Sequence, residues 1–149
     1  MVNVNDFSDI DLEETIKGYS EGSGNVLQAM FNRQTELMEK YESIEKKNGA
    51  NVVEPDQFGE LDLRNVQSRL KECAYRVVEE LSEATNCLKN KPWKQDEVAT
   101  DETHYKEELA DTFHFFLELL IVSGFDAKEF ANYYFRKAEV NKFRQNSGY

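Results

Sequence analysis

Two short acidic segments, each surrounded by apolar residues at helical spacing, constrain this chain more than any other feature. The first contains Glu79, Glu80 and Glu83, and the second contains Glu108 and Asp111. Residues three positions apart lie about 60° apart around a helix axis, so each segment projects two carboxylates from one face. If two such helices pack face to face, four carboxylates meet, and like charges that close require a cation between them. We therefore predict a Mg²⁺ site, in which Mn²⁺ could substitute, with the ligands Glu80, Glu83, Glu108 and Asp111.

The composition favours one helical domain. The chain has 149 residues, 40% of them hydrophobic, with only 7 Gly and 2 Pro. Charged residues are mostly Glu and Lys, which is typical of helical globular proteins. An acidic stretch ends at the junction Gly22-Ser23-Gly24. We predict an N-terminal arm over residues 1–23 and an all-α bundle of four main helices over residues 24–149.

Apolar periodicity and capping residues set the expected helix limits. The first helix is predicted from Asn25 to about Lys47, and a loop follows to Leu61. Asp62 is a suitable N-cap for the second helix. The core stripe predicted for that helix consists of Val66, Leu70, Cys73, Val77, Leu81, Ala84 and Leu88.

The third helix is predicted to start near Asp101 or Thr103 and to end at Ser123, before Gly124. It is apolar almost all round, so we expect it at the centre of the bundle or across a subunit interface. Carboxylates entering a buried helix are costly without a compensating partner, which favours the metal interpretation of the acidic segments. Asp126 can cap a fourth helix, which is rich in aromatic residues.

Net charge and hydropathy restrict the partners and the compartment. A formal charge of −11 opposes general electrostatic binding to nucleic acid polymers or anionic membranes. The sequence contains neither a signal-peptide pattern nor an apolar run long enough to span a bilayer. We expect a cytoplasmic protein. Cys73 and Cys87 are too far apart within one predicted helix to bridge each other, so we expect both to be reduced thiols in the core.

Carboxylates that hold Mg²⁺ suit phosphoryl chemistry on a nucleotide. A carboxylate that is not fully used as a ligand can accept the proton of an attacking water, and Glu79, Glu80 and Glu83 are the candidates for this role. No phosphate-binding loop motif of the Gly-x-x-x-x-Gly-Lys type is present.

Two other classes of function compete with this one. Asp111-x-x-His114 is similar to the Glu-x-x-His unit of di-iron bundles, but the second helix has no histidine to complete such a site, and we expect His114 to be a satisfied core histidine. A non-enzymatic module that dimerises through the third helix would explain the aromatic residues, but would leave the buried acids without a reason. Zinc is disfavoured because the cysteines and histidines lack ligand-like spacing.

Three further features have both a structural and a functional interpretation. Gln34 lies near the apolar stripe of the first helix, where a polar residue is usually at the rim. Trp93, between Lys91 and Lys94, is either a packing anchor or a surface on which a nucleobase stacks. The fourth helix places three polar residues on one face, and a cationic stripe there is normally solvated. These residues are Lys137, Asn141 and Arg144.

Together these motifs resemble the all-α nucleoside triphosphate pyrophosphohydrolase superfamily, which includes MazG-like enzymes and the dimeric dUTPase and dCTPase-dUTPase type. The resemblance rests on Glu80-x-x-Glu83 followed by Glu108-x-x-Asp111, and on the C-terminal pattern Lys137-x-x-x-Asn141-x-x-Arg144-x-x-x-x-Tyr149. Met30-x-x-x-Gln34-x-x-Leu37 is similar to the first-helix segment that contributes to base recognition, and Lys91-Pro92-Trp93-Lys94 to the connection between the metal helices.

The resemblance implies an enzyme that hydrolyses a deoxynucleoside triphosphate to the monophosphate and pyrophosphate with Mg²⁺. It implies that one Glu activates water, and that Lys137, Asn141, Arg144 and Tyr149 hold the sugar and phosphates. It also implies a homodimer, or a tetramer of the MazG type. The expected substrate is dUTP, with dCTP as a second substrate. The alternative is a MazG-like enzyme acting on purine deoxynucleotides or non-standard nucleotides.

Overall fold

The computed structural model describes residues 25–148, which form four long α-helices and no β-strand. The helices are α1 (Val26–Lys47), α2 (Arg64–Asn86), α3 (Glu102–Val122) and α4 (Ala127–Asn146), with a 3₁₀ turn at Pro55–Gln57. The predicted all-α bundle of four main helices is therefore confirmed. The predicted arm over residues 1–23 lies outside the described residues.

Side-chain caps start three of these helices. Asn25, Asp101 and Asp126 each accept a hydrogen bond from a backbone N–H in the first turn of the following helix. The predicted start of α3 near Asp101 and the expected cap Asp126 are thus confirmed. The expected cap Asp62 is wrong: Leu63 is the N-cap residue of α2 and makes no side-chain cap bond. Asp62 instead lies in the turn before the helix, where Leu63 N–H donates to the Glu60 carbonyl.

The C-terminal half of α3 occupies the centre of the bundle, as predicted. Leu117, Leu120 and Ile121 are buried there with Phe31 of α1 and Ala127 of α4. A neighbouring cluster joins Val122 to Val66 of α2 and Val53 of the loop after α1. The N-terminal half of α3 departs from the prediction, because the apolar residues Leu109 and Phe113 are exposed.

The apolar stripe predicted for α2 is only partly buried. Val66, Cys73 and Ala84 are in the core. Leu81 is exposed, and Leu88 is exposed beyond the end of the helix, so these two assignments are wrong. Next to Leu81, the half-buried residue is Glu80, and its carboxylate lies near that of Glu108 on α3. The face of α2 that meets α3 is therefore acidic in this part of the helix and apolar before it.

The loop between α1 and α2 is tied to the end of α3 through two glycines. Gly59 N–H donates to the Val122 carbonyl over 2.9 Å. A Cβ on Gly124 would lie 2.8 Å from the Gly59 Cα, closer than side-chain carbons approach backbone atoms. Val53 is buried by the same packing. The loop therefore forms a fixed wall of the bundle.

Helix α4 packs only through its first turns. Ala127 is buried, and the rings of Phe116 and Phe130 meet edge to face with centroids 6.2 Å apart. From residue 132 to residue 148 every position is exposed. The exposed face carries large apolar side chains, among them Tyr134, Phe135, Val140 and Phe143.

The two cysteines are free thiols, as expected. Cys73 is buried, and this burial, followed by the nearby Glu118 charge, raises the pKa of the Cys73 thiol to about 12. Cys87, predicted as a core thiol, is only half-buried at the end of α2. Within residues 25–148, no helix combines the length and the apolar character needed to cross a bilayer.

Candidate metal centre

The packing of α2 against α3 brings three carboxylates into one group. One carboxylate oxygen from each of Glu80, Glu83 and Glu108 lies within 4.8 Å of the other two. Glu108 is buried, Glu80 is half-buried and Glu83 is exposed, so the group opens towards solvent on one side. Two of these carboxylates come from one helix turn of α2 and the third from the facing turn of α3, so the structure groups three of the four carboxylates that the spacing predicted to meet.

Electrostatics within this group favour a bound cation. Burial, and then the charges of Glu83, Asp111 and Glu108, raise the pKa of Glu80 above its ordinary value. A hydrogen bond with Glu108 acts in the same direction. A divalent cation would remove this penalty by compensating the negative charge, and oxygen-only ligands suit Mg²⁺ and Mn²⁺. The residues present therefore fit such an ion.

Asp111, the fourth predicted ligand, does not belong to the group of three. It lies on α3, one turn beyond Glu108, and its charge still acts on Glu80. Asp111 also lines a cavity of about 530 Å³ between α1, α3 and the loop after α1, which is described below. It therefore connects the carboxylate group to that cavity.

Glu79, one of the candidate bases, is held outside the group. Its carboxylate accepts a hydrogen bond from Arg76 Nη1 over 2.9 Å, and both side chains are largely exposed. Since successive residues of a helix point in directions about 100° apart, Glu79 and Glu80 cannot share one face.

His104 adjoins the carboxylate group, although it belongs to none of the sequence motifs described above. Its Nδ1 lies 3.4 Å from Glu108 Oε1 and 3.9 Å from Glu107 Oε2. The i,i+4 spacing of His104 and Glu108 on one helix was the available signal. A cavity of about 440 Å³ begins here, between the end of α2 and the start of α3, and its lining includes Glu83, Lys89 and His104.

A second cavity, of about 530 Å³, lies between α1, α3 and the loop after α1. Its walls are largely apolar, and include Leu37, Met38 and Phe115. Gln34, expected at the rim of the bundle, is instead 94% buried, because it lines this cavity and is covered by α3. We refer to this space as the large cavity.

Gln34 and His114 are hydrogen-bonded to each other across the large cavity. His114 Nδ1 lies 2.8 Å from Gln34 Oε1. His114 is satisfied, as expected, but the expectation that it belongs to the core is wrong, because the residue is exposed. Among the described residues, the group that could hold a metal ion includes neither Asp111 nor His114, the two residues on which the di-iron alternative rests.

A buried ion pair forms the far side of the large cavity. Arg69 of α2 pairs with Glu118 of α3, and both residues are more than nine-tenths buried. Arg69 also contacts Glu45 of α1 over 3.1 Å, so the three helices meet at one guanidinium group. Burial lowers the pKa of Arg69, but the charges of Glu118 and Glu45 outweigh this and raise it. The only sequence signal was a single charge, Glu118, among the apolar residues of α3.

The connection between α2 and α3 carries Trp93 on the surface. The Trp93 ring is 76% exposed, so the interpretation as a packing anchor within this chain is wrong. Lys91 Nζ lies 5.4 Å from the ring centroid, within range of a cation–π contact. Lys94 is also exposed. The connection is closed by Asn90, which exchanges two hydrogen bonds with the backbone of Val98.

The residues of the C-terminal pattern are not placed beside the carboxylates. Lys137, Asn141 and Arg144 are exposed on the part of α4 that extends beyond the bundle, and Tyr149 lies outside the described residues. Within the part of the chain that the structure describes, neither these residues nor those of the Trp93 connection line the large cavity.

Part of this chain is similar in sequence to a phage protein. A protein of Enterobacteria phage LZ5, named dCTP pyrophosphatase, is 37% identical to it over 70 residues. The match covers 40% of this chain and 41% of the phage protein. No protein-family model matches the chain, and no solved structure matches it.

Proposed function

We propose that this protein is a nucleoside triphosphate pyrophosphohydrolase that converts a pyrimidine deoxynucleoside triphosphate, dUTP or dCTP, to the monophosphate and pyrophosphate. The observation that carries the proposal is the group formed by Glu80, Glu83 and Glu108 between α2 and α3. The partial similarity to a phage protein named dCTP pyrophosphatase supports the same reaction and the same class of base.

The positions of the two cavities suggest how a nucleotide would lie. The large cavity adjoins the carboxylate group at Asp111 and has apolar walls suited to a base. The smaller cavity adjoins the group at Glu83 and contains two cationic or protonatable side chains, Lys89 and His104, which suit phosphate oxygens. We assign the nucleoside to the large cavity and the outer phosphates to the smaller one, so that the reacting phosphates lie at the carboxylates.

The same carboxylates would hold the metal ion. Glu80, Glu83 and Glu108 would be its protein ligands, with Asp111 close enough to complete the set. When bound, Mg²⁺ supplies positive charge to the phosphate oxygens and makes a water more acidic. The remaining ligand positions would be open to substrate and water, because the group is exposed on the Glu83 side.

Glu83 is the best placed general base. It is the exposed member of the group and lines the smaller cavity, whereas Glu79 is occupied by Arg76. Its carboxylate would take a proton from the attacking water as the water oxygen bonds to phosphorus. The bond between that phosphorus and the oxygen that bridges the α and β phosphates then breaks. The bridging oxygen stays with the leaving fragment, so the products are the monophosphate and pyrophosphate.

Residues that lie outside the two cavities would also contact the substrate. Trp93 offers an exposed ring for stacking, with Lys91 and Lys94 beside it. By resemblance, the polar face of α4 and the C-terminal Tyr149 hold the sugar and phosphates. Because that part of α4 extends beyond the bundle, these residues would meet a substrate more readily at the site of a second chain.

Product analysis tests the reaction. The protein is incubated with equal concentrations of dUTP, dCTP, dTTP, dATP or dGTP and Mg²⁺, and the products are separated by anion-exchange chromatography. We expect monophosphate and pyrophosphate from a pyrimidine nucleotide, and no turnover in excess EDTA. Release of orthophosphate with a diphosphate product, or turnover that EDTA leaves unchanged, would contradict the proposal.

A further inference from the structure

The side-chain amide of Gln34 has one satisfied end and one unsatisfied end. Its oxygen lies 2.8 Å from His114 Nδ1. Its nitrogen donates to no group among residues 25–148, although the side chain is only 6% exposed and lines the large cavity. Buried amide donors without a partner are rare in native proteins because each costs free energy. The unpaired N–H groups therefore indicate a ligand that occupies the cavity.

His114 determines which end of the amide is available. In the tautomer with a proton on Nδ1, the ring donates to Gln34 Oε1, and rotation of the amide by 180° would replace this bond with two donors facing each other. In that tautomer the imidazole holds Gln34 with its NH₂ group towards the cavity. A ligand in the cavity would have to offer this group a hydrogen-bond acceptor.

We propose that His114 is a positioning residue that fixes Gln34 as a hydrogen-bond donor, and that this orientation makes the large cavity discriminate between pyrimidine bases. The inference rests on the proposed function for the identity of the ligand as a pyrimidine nucleotide. It goes further in assigning the discrimination to a pair of residues that are 80 positions apart in the sequence.

Cytosine and uracil are suitable probes for this proposal because they have the same ring and differ in hydrogen-bonding polarity. At N3 cytosine accepts and uracil donates, and at the substituent on C4 the two roles are exchanged. An amide N–H that is fixed opposite N3, or opposite the C4 substituent, therefore finds an acceptor on one base and a donor on the other, whereas the O2 acceptor is common to both bases. An amide that is free to rotate accommodates both.

The test measures equilibrium binding of dCMP and dUMP by calorimetry, without metal and without turnover. For the wild-type protein we expect a difference in Kd of about tenfold, on the scale of one buried hydrogen bond. In His114→Ala the amide loses its fixed orientation, so the ratio of the two Kd values should fall towards one. In Gln34→Glu the carboxylate accepts from His114 and offers only an acceptor to the cavity, so the preferred base should change.

Gln28→Glu is the matched control, because it adds the same negative charge to the same helix as Gln34→Glu does. Gln28 is also on α1, but its amide bonds to Asn32 on the exposed side, so the ratio should stay at the wild-type value. If His114 had a purely structural role, His114→Ala would weaken the binding of both nucleotides equally and leave the ratio of their Kd values unchanged. That outcome would overturn the proposal. So would an unchanged preference between dCMP and dUMP in Gln34→Glu, equal binding of the two nucleotides by the wild type, or no binding of either nucleotide.

The binding experiment also separates this inference from the proposed reaction. If dCMP and dUMP bind with the expected ratios but no triphosphate is hydrolysed, the proposed reaction fails and the assignment of His114 and Gln34 stands. If triphosphates are hydrolysed, but the ratio of the Kd values for dCMP and dUMP is the same in the wild type, His114→Ala and Gln34→Glu, the proposed reaction stands and this inference fails. Should His114→Ala lose its helical circular dichroism, Gln34→Glu decides alone.

Discussion

Glu79 and Glu83 are one helical turn apart, yet only Glu83 faces the carboxylates of α3. We expect Glu83→Gln to lower kcat by about 10²-fold or more, because the amide keeps the shape but cannot accept the water proton. Glu79→Gln should retain most of the activity, since it removes only an exposed ion pair with Arg76. Steady-state kinetics with the preferred triphosphate, together with circular dichroism to verify folding, measure both effects.

Glu36→Gln provides the control for loss of one surface carboxylate. Glu36 is exposed on α1 and paired with Arg33, away from the carboxylate group. Its kinetics should match the wild type. Wild-type turnover in Glu83→Gln, or a larger loss in Glu79→Gln than in Glu83→Gln, would place the base elsewhere.

Glu80 makes the stability of the metal-free protein depend on pH. Because burial and the neighbouring acids raise its pKa in the folded state, the folded protein binds this proton more tightly than the unfolded chain does. The associated stability is present below the unfolded pKa and is lost as pH rises through the folded pKa. In EDTA, we expect the Tm to decrease as pH rises above the ordinary glutamate value of 4.5.

The Glu80→Gln variant isolates this contribution. Its Tm should decrease less steeply than that of the wild type over the same pH range, because the titrating group is gone. Added Mg²⁺ should raise the wild-type Tm most at the higher pH, where the ligands are ionised. Thermal melts followed by circular dichroism give the comparison, and identical slopes for the two proteins would refute the assigned cause.

The spacing of residues in the sequence predicted the parts of the carboxylate group that lie on a single helix, and it did not predict contacts between helices. Glu80 and Glu83 were predicted as neighbours because i,i+3 residues share a helix face, and Asp111 was placed with them by the same rule although it lies one turn away. The pairing of Gln34 with His114 depends on how α1 packs against α3, which no spacing within one helix encodes. Their exact placement therefore required the tertiary structure.

At the scale of elements, the wall formed by the loop after α1 depends on Gly59 and Gly124. Gly124 has φ +88°, a conformation that side-chain-bearing residues rarely adopt, and a Cβ there would meet the Gly59 backbone at 2.8 Å. We expect Gly124→Ala to destabilise the protein by about 1–3 kcal/mol from this overlap, in addition to the cost of the left-handed backbone. Chemical denaturation measures the free energy of unfolding.

Gly49→Ala is the matched control. Gly49 ends α1 with φ +77°, but no atom lies within 4 Å of the position of its added Cβ. The substitution should therefore carry only the backbone cost, about 1 kcal/mol. Equal destabilisation in both variants would show that the loop moves freely away from α3.

The limits of the helices were predictable where polar caps exist. Asp101 and Asp126 begin α3 and α4 because their carboxylates satisfy backbone N–H groups that a helix leaves unpaired. Asp62 has the same chemistry, but the turn between Gly59 and Leu63 is set by packing against α3, and the helix starts one residue later than Asp62 would require. Long-range packing thus overrides a local capping preference.

At the scale of the whole molecule, α4 exposes several large apolar side chains close to one another, which is typical of a surface that another chain covers. Phe135 is 66% exposed and Phe143 is 71% exposed. We predict a homodimer in which this face is covered, and light scattering at micromolar concentration should give twice the chain mass. A tetramer would extend the likeness to MazG-like proteins.

The double variant Phe135→Glu, Phe143→Glu tests the role of α4 in that dimer. The two charges should yield a monomer with unchanged helical circular dichroism, because both side chains point away from the bundle core. Lys128→Glu, an exposed charge reversal in the first turn of α4, is the control and should remain dimeric. A wild-type monomer would contradict the prediction, as would a double variant of unchanged mass.

The meeting of α1, α2 and α3 at Arg69 restricts how this protein can change over evolutionary time. Losing Arg69 alone leaves the buried charge of Glu118 without its partner, at a cost of about 3–5 kcal/mol, a large part of the stability of an ordinary domain. Replacing both with apolar residues of similar volume is often neutral or better. A route to such a descendant that replaces Arg69 first therefore passes through a strongly destabilised protein, so the ion pair can persist by inheritance without being the most stable solution.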